Sequence, residues 1–208
     1  MENLGLTEKN LYLPVWYSKR PLLSINNSSK ELSQFLYKRV FFEEKEYEAI
    51  KEELSALGRS KLDFFEKAIS YKNLPKEYIS HLPTLIEWFN QHSLKVRYFG
   101  TYSTKPTRRM PAHVDDSKNV LALNFPILNC ENSATRLFYS QHEPIFKFNT
   151  ETRWYSFEEN SLEEIANFDL KTPVLFNTRV PHAVENMSDS LRVSATFRFE
   201  EDPLWMLK

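Results

Sequence analysis

Apolar residues recur with a helical period in the first part of the chain and with a strand period in the second. Over residues 30 to 92 the spacing is three and four. In "EEKEYEAIKEELSAL", Tyr47, Ile50 and Leu54 share one stripe while Glu and Lys fill the other face. Gly58 is the expected stop of that helix. "KLDFFEKAI" (61–69) and "PTLIEWFNQ" (83–91) read as two further helices, the second with Pro83 in the tolerated first turn. Their aromatic residues are most simply core.

From residue 94 onward the segments are short and rich in β-branched and aromatic residues. "KVRYFGTY" (95–102), "NVLALNFPI" (119–127), "ATRLFYS" (134–140), "IFKF" (145–148), "TPVLFN" (172–177) and "LRVSATFRF" (191–199) are separated by clusters of Pro, Asn, Ser and Asp. Six or more strands without regularly interposed helices predict an antiparallel sandwich or barrel. One helical insertion is expected at 156–168, where Ser161 and Glu164 have the spacing of a capping box. Without a repeat, low-complexity tract or linker, the expectation is one α+β domain over 1–208, with residues 1–93 mainly helical support and 94–200 the β core.

Composition narrows this picture without redirecting it. The 208 residues are 41% hydrophobic, as in ordinary globular proteins. Twenty-seven basic against 28 acidic residues leave a net charge of −1, which demands neither nucleic acid nor an anionic membrane as partner. A single cysteine, Cys130, excludes an internal disulfide. The polar start "MENLGLTEKN" lacks a signal-peptide core, and no apolar run approaches the ~18 residues of a membrane span. The expected location is cytoplasmic.

The candidate chemistry begins at "PAHVDD". His113 and Asp115 are two apart, so in an extended segment both side chains reach the same side. His182, directly after the strand "PVLFN" and its turn, is the candidate third ligand. Two neutral imidazoles and one carboxylate form the facial set used for non-haem Fe(II), with three positions open. Ten residues later the last strand alternates. Leu191, Val193, Ala195, Phe197 and Phe199 make an apolar face, and Arg192, Ser194, Thr196 and Arg198 a polar one. That pattern also suits a half-exposed strand. Arg192 nevertheless offers a planar fork for a carboxylate, with the Ser194 hydroxyl beside it, as a dicarboxylate co-substrate would need.

His113-x-Asp115, His182 and Arg192-x-Ser194, in this order and spacing, resemble the Fe(II)/2-oxoglutarate-dependent oxygenases over residues 94 to 200. "LALNFPILN", "PVLFNTRVPHAVEN" and "LRVSATFRF" are most similar to the prolyl- and asparaginyl/aspartyl-hydroxylase-like branch and its viral relatives. The resemblance implies a double-stranded β-helix, or jelly roll, holding iron between two sheets. It implies a hydroxylase that consumes 2-oxoglutarate and O2, releases succinate and CO2, and uses ascorbate as a possible reductant. It also implies co-substrate roles for Tyr102, before the His-x-Asp loop, and for the Asn124 amide. Asn186 is expected to satisfy backbone groups after the second histidine.

Three other readings stand beside this one. Arg192 and Arg198, six apart, match the paired arginines of nucleic-acid dealkylating oxygenases, although the interval from His182 is short and the charge balance suits nucleic acid poorly. A catalytically silent jelly-roll binding module and a cupin-like metal enzyme without 2-oxoglutarate are the others. The substrate, small-molecule or peptidyl, is not encoded legibly. Arg108 and Arg109 in the basic loop "KPTRR" are the weak candidates for drawing an acidic one. His81 and His92 read as surface or capping residues, His142 as a loop residue that could line the mouth without being a ligand, and Cys130 as structural.

Overall fold

A computed structural model describes residues 35–60, 69–73, 76–115, 119–140, 142–148 and 153–207. Among the described residues twelve strands form two six-stranded sheets. The first sheet runs β1 (Tyr37–Arg39), β10 (Val174–Asn177), β5 (Leu121–Leu128), β12 (Arg192–Phe199), β3 (Val96–Thr104), β2 (Ile69–Asn73). The second runs β7 (Ile145–Phe148), β8 (Arg153–Ser156), β4 (His113–Asp115), β11 (His182–Asn186), β6 (Ser133–Ser140), β9 (Leu162–Phe168). Every pairing is antiparallel. From β3 to β6, and again from β9 to β12, the chain crosses from one sheet to the other at each step, so segments distant in sequence become neighbours.

Helix α1 (Glu44–Ser60) follows the apolar stripe, burying Ile50, Leu54 and Leu57, and runs two residues past the expected stop at Gly58. Helix α2 (Pro83–Gln91) matches its expected bounds and buries Leu85, Trp88 and Phe89. Its first turn lacks a side-chain cap of its own; Glu53 of α1 accepts from Thr84 N (2.9 Å) and Leu85 N (3.4 Å) instead. The helices cover the outer face of the first sheet, where Ile50, Leu54, Trp88 and Phe89 join Phe125, Ala195, Phe197 and Phe199 in the main core. Phe197 stacks on Phe99 of the adjacent strand at 4.5 Å.

Both faces of β12 are therefore covered: its apolar positions by the helices, its polar positions by the second sheet. Arg192 is 1% exposed and Arg198 7%, which decides against a half-exposed strand. A second apolar cluster, including Ala122, Leu137, Phe168, Val174 and Phe176, fills the space between the sheets toward β9 and β10. The inter-sheet space is thus apolar at one end and polar around β3, β4, β11 and β12.

Two expectations for the helical segments are corrected, and most of a third lies outside the described residues. Two short strands, β1 and β2, lie within the segment read as helical and extend the first sheet at its two edges. Of the helix expected at 61–69, residues 61–68 lie outside the described residues, and Ile69 opens β2. Residues 156–168 are not a helix: the Ser161 hydroxyl donates to the Glu158 carbonyl within one short 3-10 turn, and 162–168 pair with β6. A β-bulge explains the misreading. Ala166 opposes Leu137 and Glu164 opposes Phe138, so Ile165 is an extra residue that breaks the two-residue period. The resulting spacing of Leu162, Ile165 and Ala166 imitates a helical stripe.

Candidate metal centre between the sheets

His113 and Asp115 stand at the two ends of the three-residue strand β4, so their side chains share one face. Hydrogen-bonded pairing with β11 sets His182 directly opposite His113. The imidazole centroids are 4.3 Å apart, and one ligand atom from each of His113, Asp115 and His182 lies within 4.8 Å of the others. Expected from spacing and a strand rule, this convergence depends on a cross-strand register that joins residues 69 apart in sequence.

The donor set fits a divalent transition metal. His113 Nδ1 donates to the Pro111 carbonyl (3.0 Å) and His182 Nδ1 to the Val180 carbonyl (2.9 Å). A carbonyl only accepts, so each Nδ1 carries the proton and each Nε2 keeps its lone pair for a metal. Burial lowers the pKa of both imidazoles: that of His182 falls to about 3, with His113 adding to the effect, and that of His113 falls despite the opposing pull of Asp115. Both rings are therefore neutral at neutral pH, as ligation requires. Burial pushes the Asp115 carboxyl up, but the Arg198 guanidinium beside it, with Arg179 adding to the effect, holds the group below its usual range, ionised.

Asp115 divides its two oxygens. Oδ1 lies 3.5 Å from His113 Nε2, whereas Oδ2 is bound by Arg198 Nη2. The same guanidinium donates to the Asn119 carbonyl (2.9 Å) and to Thr178 Oγ1 (3.1 Å), which roots it at the base of the site. From the sequence Arg198 was legible only as a member of the polar face and of an arginine pair six apart. Its position on the inward face of β12 was readable, but not its partner, 83 residues away.

Arg192 also points between the sheets. Its Nε donates to Ser133 Oγ on β6 (3.0 Å) and its Nη1 to Ser194 Oγ (3.2 Å). Two hydroxyls thus hold a guanidinium that has further N–H groups to offer. Ser133 was not singled out by sequence; it donates in turn to the Cys130 carbonyl (2.6 Å), while Cys130 Sγ bonds the Val193 carbonyl (3.0 Å). Cys130 is accordingly structural, and so is Asn186, whose amide bonds the carbonyls of Thr104 (2.9 Å), Lys105 (3.2 Å) and Ser190 (2.8 Å).

Register places Tyr102 opposite Ser194 and Asn124 opposite Thr196, both on the inward face. The Tyr102 hydroxyl contacts Met110 Sδ, and burial raises its pKa, so it stays protonated. Asn124 Oδ1 and Thr104 Oγ1 are buried without a hydrogen-bond partner among the described residues, and Thr104 sits opposite Arg192. Rotating the Asn124 amide would present Nδ2, a donor, at the same point. Unsatisfied polar atoms beside a buried arginine suit a polar guest. Thr104 was another residue that motif reasoning missed.

In the basic loop the Arg109 side chain pairs with Glu159 (3.1 Å) and lies over the Phe138 ring, on the opposite face of the second sheet, and the Arg109 backbone forms an antiparallel β-bridge with Glu185. Arg108 is exposed. His92 donates to the Trp88 carbonyl (2.8 Å) and stacks on Trp205, and His142 is exposed. Among the described residues no helix is long and apolar enough to cross a membrane.

No protein-family model and no curated protein matches this chain. Solved structures do. The non-haem α-ketoglutarate-dependent carbocyclase SnoK of nogalamycin biosynthesis matches with a TM-score of 0.50 at 14% identity, over 85% of this chain and 84% of its own. The epimerase SnoN, solved with Fe3+, α-ketoglutarate and a nogalamycin compound, gives 0.49 at 13% identity, over 81% and 80%. Bacillus subtilis oxalate decarboxylase gives 0.35 at 12% identity over 66% of this chain, which spans only 27% of that protein's length. At 14% identity the likeness to SnoK concerns the fold alone. Two antiparallel sheets enclosing a His-Asp-His cluster define a jelly-roll, cupin-type β-sandwich with a candidate metal centre.

Proposed function

We propose that the protein is an Fe(II)- and 2-oxoglutarate-dependent dioxygenase built on a double-stranded β-helix, and that it hydroxylates a C–H bond of its substrate. The observation that carries this reading is the shared interior of two sites: the His113–Asp115–His182 cluster on one sheet and the buried Arg192–Ser194 pair on the other. A silent binding module has no use for both, because an unpaired inward arginine is costly to retain.

When bound, iron and 2-oxoglutarate supply the oxidation: O2 is consumed, one oxygen atom goes to the substrate, and succinate and CO2 are released. The chain's own residues prepare for it. His113 and His182 present neutral Nε2 atoms, and Asp115 presents Oδ1 while Arg198 retains Oδ2. Arg192 and Ser194 receive the distal carboxylate of the co-substrate, with Tyr102, Asn124 and Thr104 as further hydrogen-bonding groups on the same interior face.

Anaerobic addition of Fe(II) and 2-oxoglutarate is expected to produce a visible charge-transfer band. Admission of O2 should then release succinate. Asp115→Ala should lose both responses while keeping the far-UV signature of the fold. Metal uptake without a 2-oxoglutarate response would instead favour a cupin-type enzyme that uses no such co-substrate.

A further inference from the structure

The second sheet continues past the metal cluster to an edge, and its register makes two rows. His113 opposes Ser156, which opposes Ile145; Asp115 opposes Trp154, which opposes Lys147. Directly opposed residues in antiparallel strands share a face, so Ser156, Ile145, Trp154 and Lys147 lie on the same face as the metal cluster. Deeper on that face His182, Leu137, Ser133 and Asn186 are each no more than 3% exposed. Along the two rows cover is lost. Trp154 and Ser156 are half-buried, Ile145 is 51% exposed and Lys147 is exposed. A large aliphatic side chain left open on the inward face of a sandwich, next to an indole and a metal cluster, has the make-up of a ligand surface.

We propose that this inward face of β7 and β8 is the substrate shelf, resting on the oxygenase reading above, and that it takes an elongated apolar or aromatic compound with an acidic end. Trp154, one strand from Asp115, provides the plane on which the body of the substrate lies. Ile145 borders that plane. Lys147, two strands from Asp115, meets a carboxylate or phosphate. Strands are ~4.8 Å apart, so the acid sits ~10 Å along the sheet from the metal cluster. The carbon presented for oxidation is accordingly remote from the acidic group. Trp154 is thus a specificity determinant for length and planarity, and Lys147 for charge.

The probes are 2-naphthylacetate and its uncharged counterpart 2-(2-naphthyl)ethanol, added to protein loaded with Mn(II) and 2-oxoglutarate under argon. Paramagnetic relaxation of the naphthyl protons reads both affinity and distance from the metal, with Zn(II) as the diamagnetic control. The acid should bind roughly threefold or more tightly than the alcohol, the range of one lysine–anion pair near the surface. Its ring protons farthest from the carboxylate should relax fastest. Lys147→Gln should erase the advantage of the acid. Trp154→Ala should weaken both probes about tenfold or more, and Trp154→Phe should retain most of the binding. Because Lys147 is exposed, its variant keeps the test valid even if Trp154→Ala fails to fold. Equal binding of acid and alcohol, or naphthyl protons unrelaxed while Mn(II) and 2-oxoglutarate are bound, overturns the shelf alone. Failure of Mn(II) or 2-oxoglutarate to bind, read from the Mn(II) resonance of the same samples, overturns the oxygenase reading and the shelf with it.

Discussion

Arg198 binds one oxygen of Asp115 from the opposite sheet and leaves the other facing His113. This division would leave Asp115 a single oxygen for a metal and fixes the carboxylate plane through Arg198. Partners of metal ligands typically contribute ~10- to 100-fold in metal affinity. Arg198→Gln should therefore weaken Mn(II) binding by about that factor in a calorimetric titration, with Arg198→Lys between the two. Unaltered affinity in Arg198→Gln would show that Asp115 needs no such support.

Arg192 tests the proposed co-substrate role separately from the metal. Arg192→Ala removes a charge-assisted fork and should weaken 2-oxoglutarate binding by roughly 2–4 kcal/mol, or ~30- to 1,000-fold. Arg192→Lys should recover only part, since one ammonium does not reproduce a bidentate pair. Metal affinity should change little in either variant. An unchanged Michaelis constant for 2-oxoglutarate in Arg192→Ala contradicts the assignment.

Acid should destabilise the metal-free protein over a defined range. His182 has an ordinary pKa of 6.5 when unfolded and about 3 when folded. Below pH 6.5 the unfolded chain takes up a proton that the folded chain refuses, so stability falls as pH drops and levels off near pH 3. The slope is at most ~1.4 kcal/mol per pH unit for each such imidazole, or about 2 kcal/mol between pH 6.5 and 5. His113, shifted in the same direction, adds to it. Asp115 acts in a lower range, its contribution being lost as pH falls through its depressed folded pKa. Urea unfolding of apo protein at pH 7 and pH 5 measures the sum, and His182→Asn should flatten the dependence. A pH-independent midpoint in the wild type refutes it.

A further stability test lies where the chain re-enters the first sheet after the His-x-Asp segment. Asp202 accepts from Val120 N (3.1 and 3.0 Å to its two oxygens) and from Leu121 N (2.9 Å to Oδ1), both residues being buried. Asp202→Ala would orphan two buried N–H groups, at ~1–3 kcal/mol each before any relaxation or water entry. The thermal midpoint should fall by several degrees, and Asp202→Asn should restore part of the loss. A midpoint within one degree of the wild type would mean that water replaces the carboxylate without cost.

The sequence by itself determined which residues share a face. Residues two apart in a strand point the same way, so His113 with Asp115, and Arg192 with Ser194 and Arg198, were legible as pairs and rows before any fold was known. The stripes of α1 and α2 were legible for the same local reason. Only the tertiary structure decided what each face meets. Alternation along β12 is identical whether its polar side faces water or a second sheet, and burial on both sides followed from the helices packing on one face and β4, β6 and β11 opposing the other. The bulge at Ile165 hid β9, because one added residue shifts the period by half a cycle. Strands β1 and β2 were hidden because short edge strands take their order from partners, Val174–Phe176 and Gly100–Thr104, that lie far along the chain. Register is a long-range property. It set His182 against His113 and placed Trp154 beside Asp115, while the packing of one sheet on the other brought Arg198 to the carboxylate it binds, and no local pattern of apolar and polar residues carries that information.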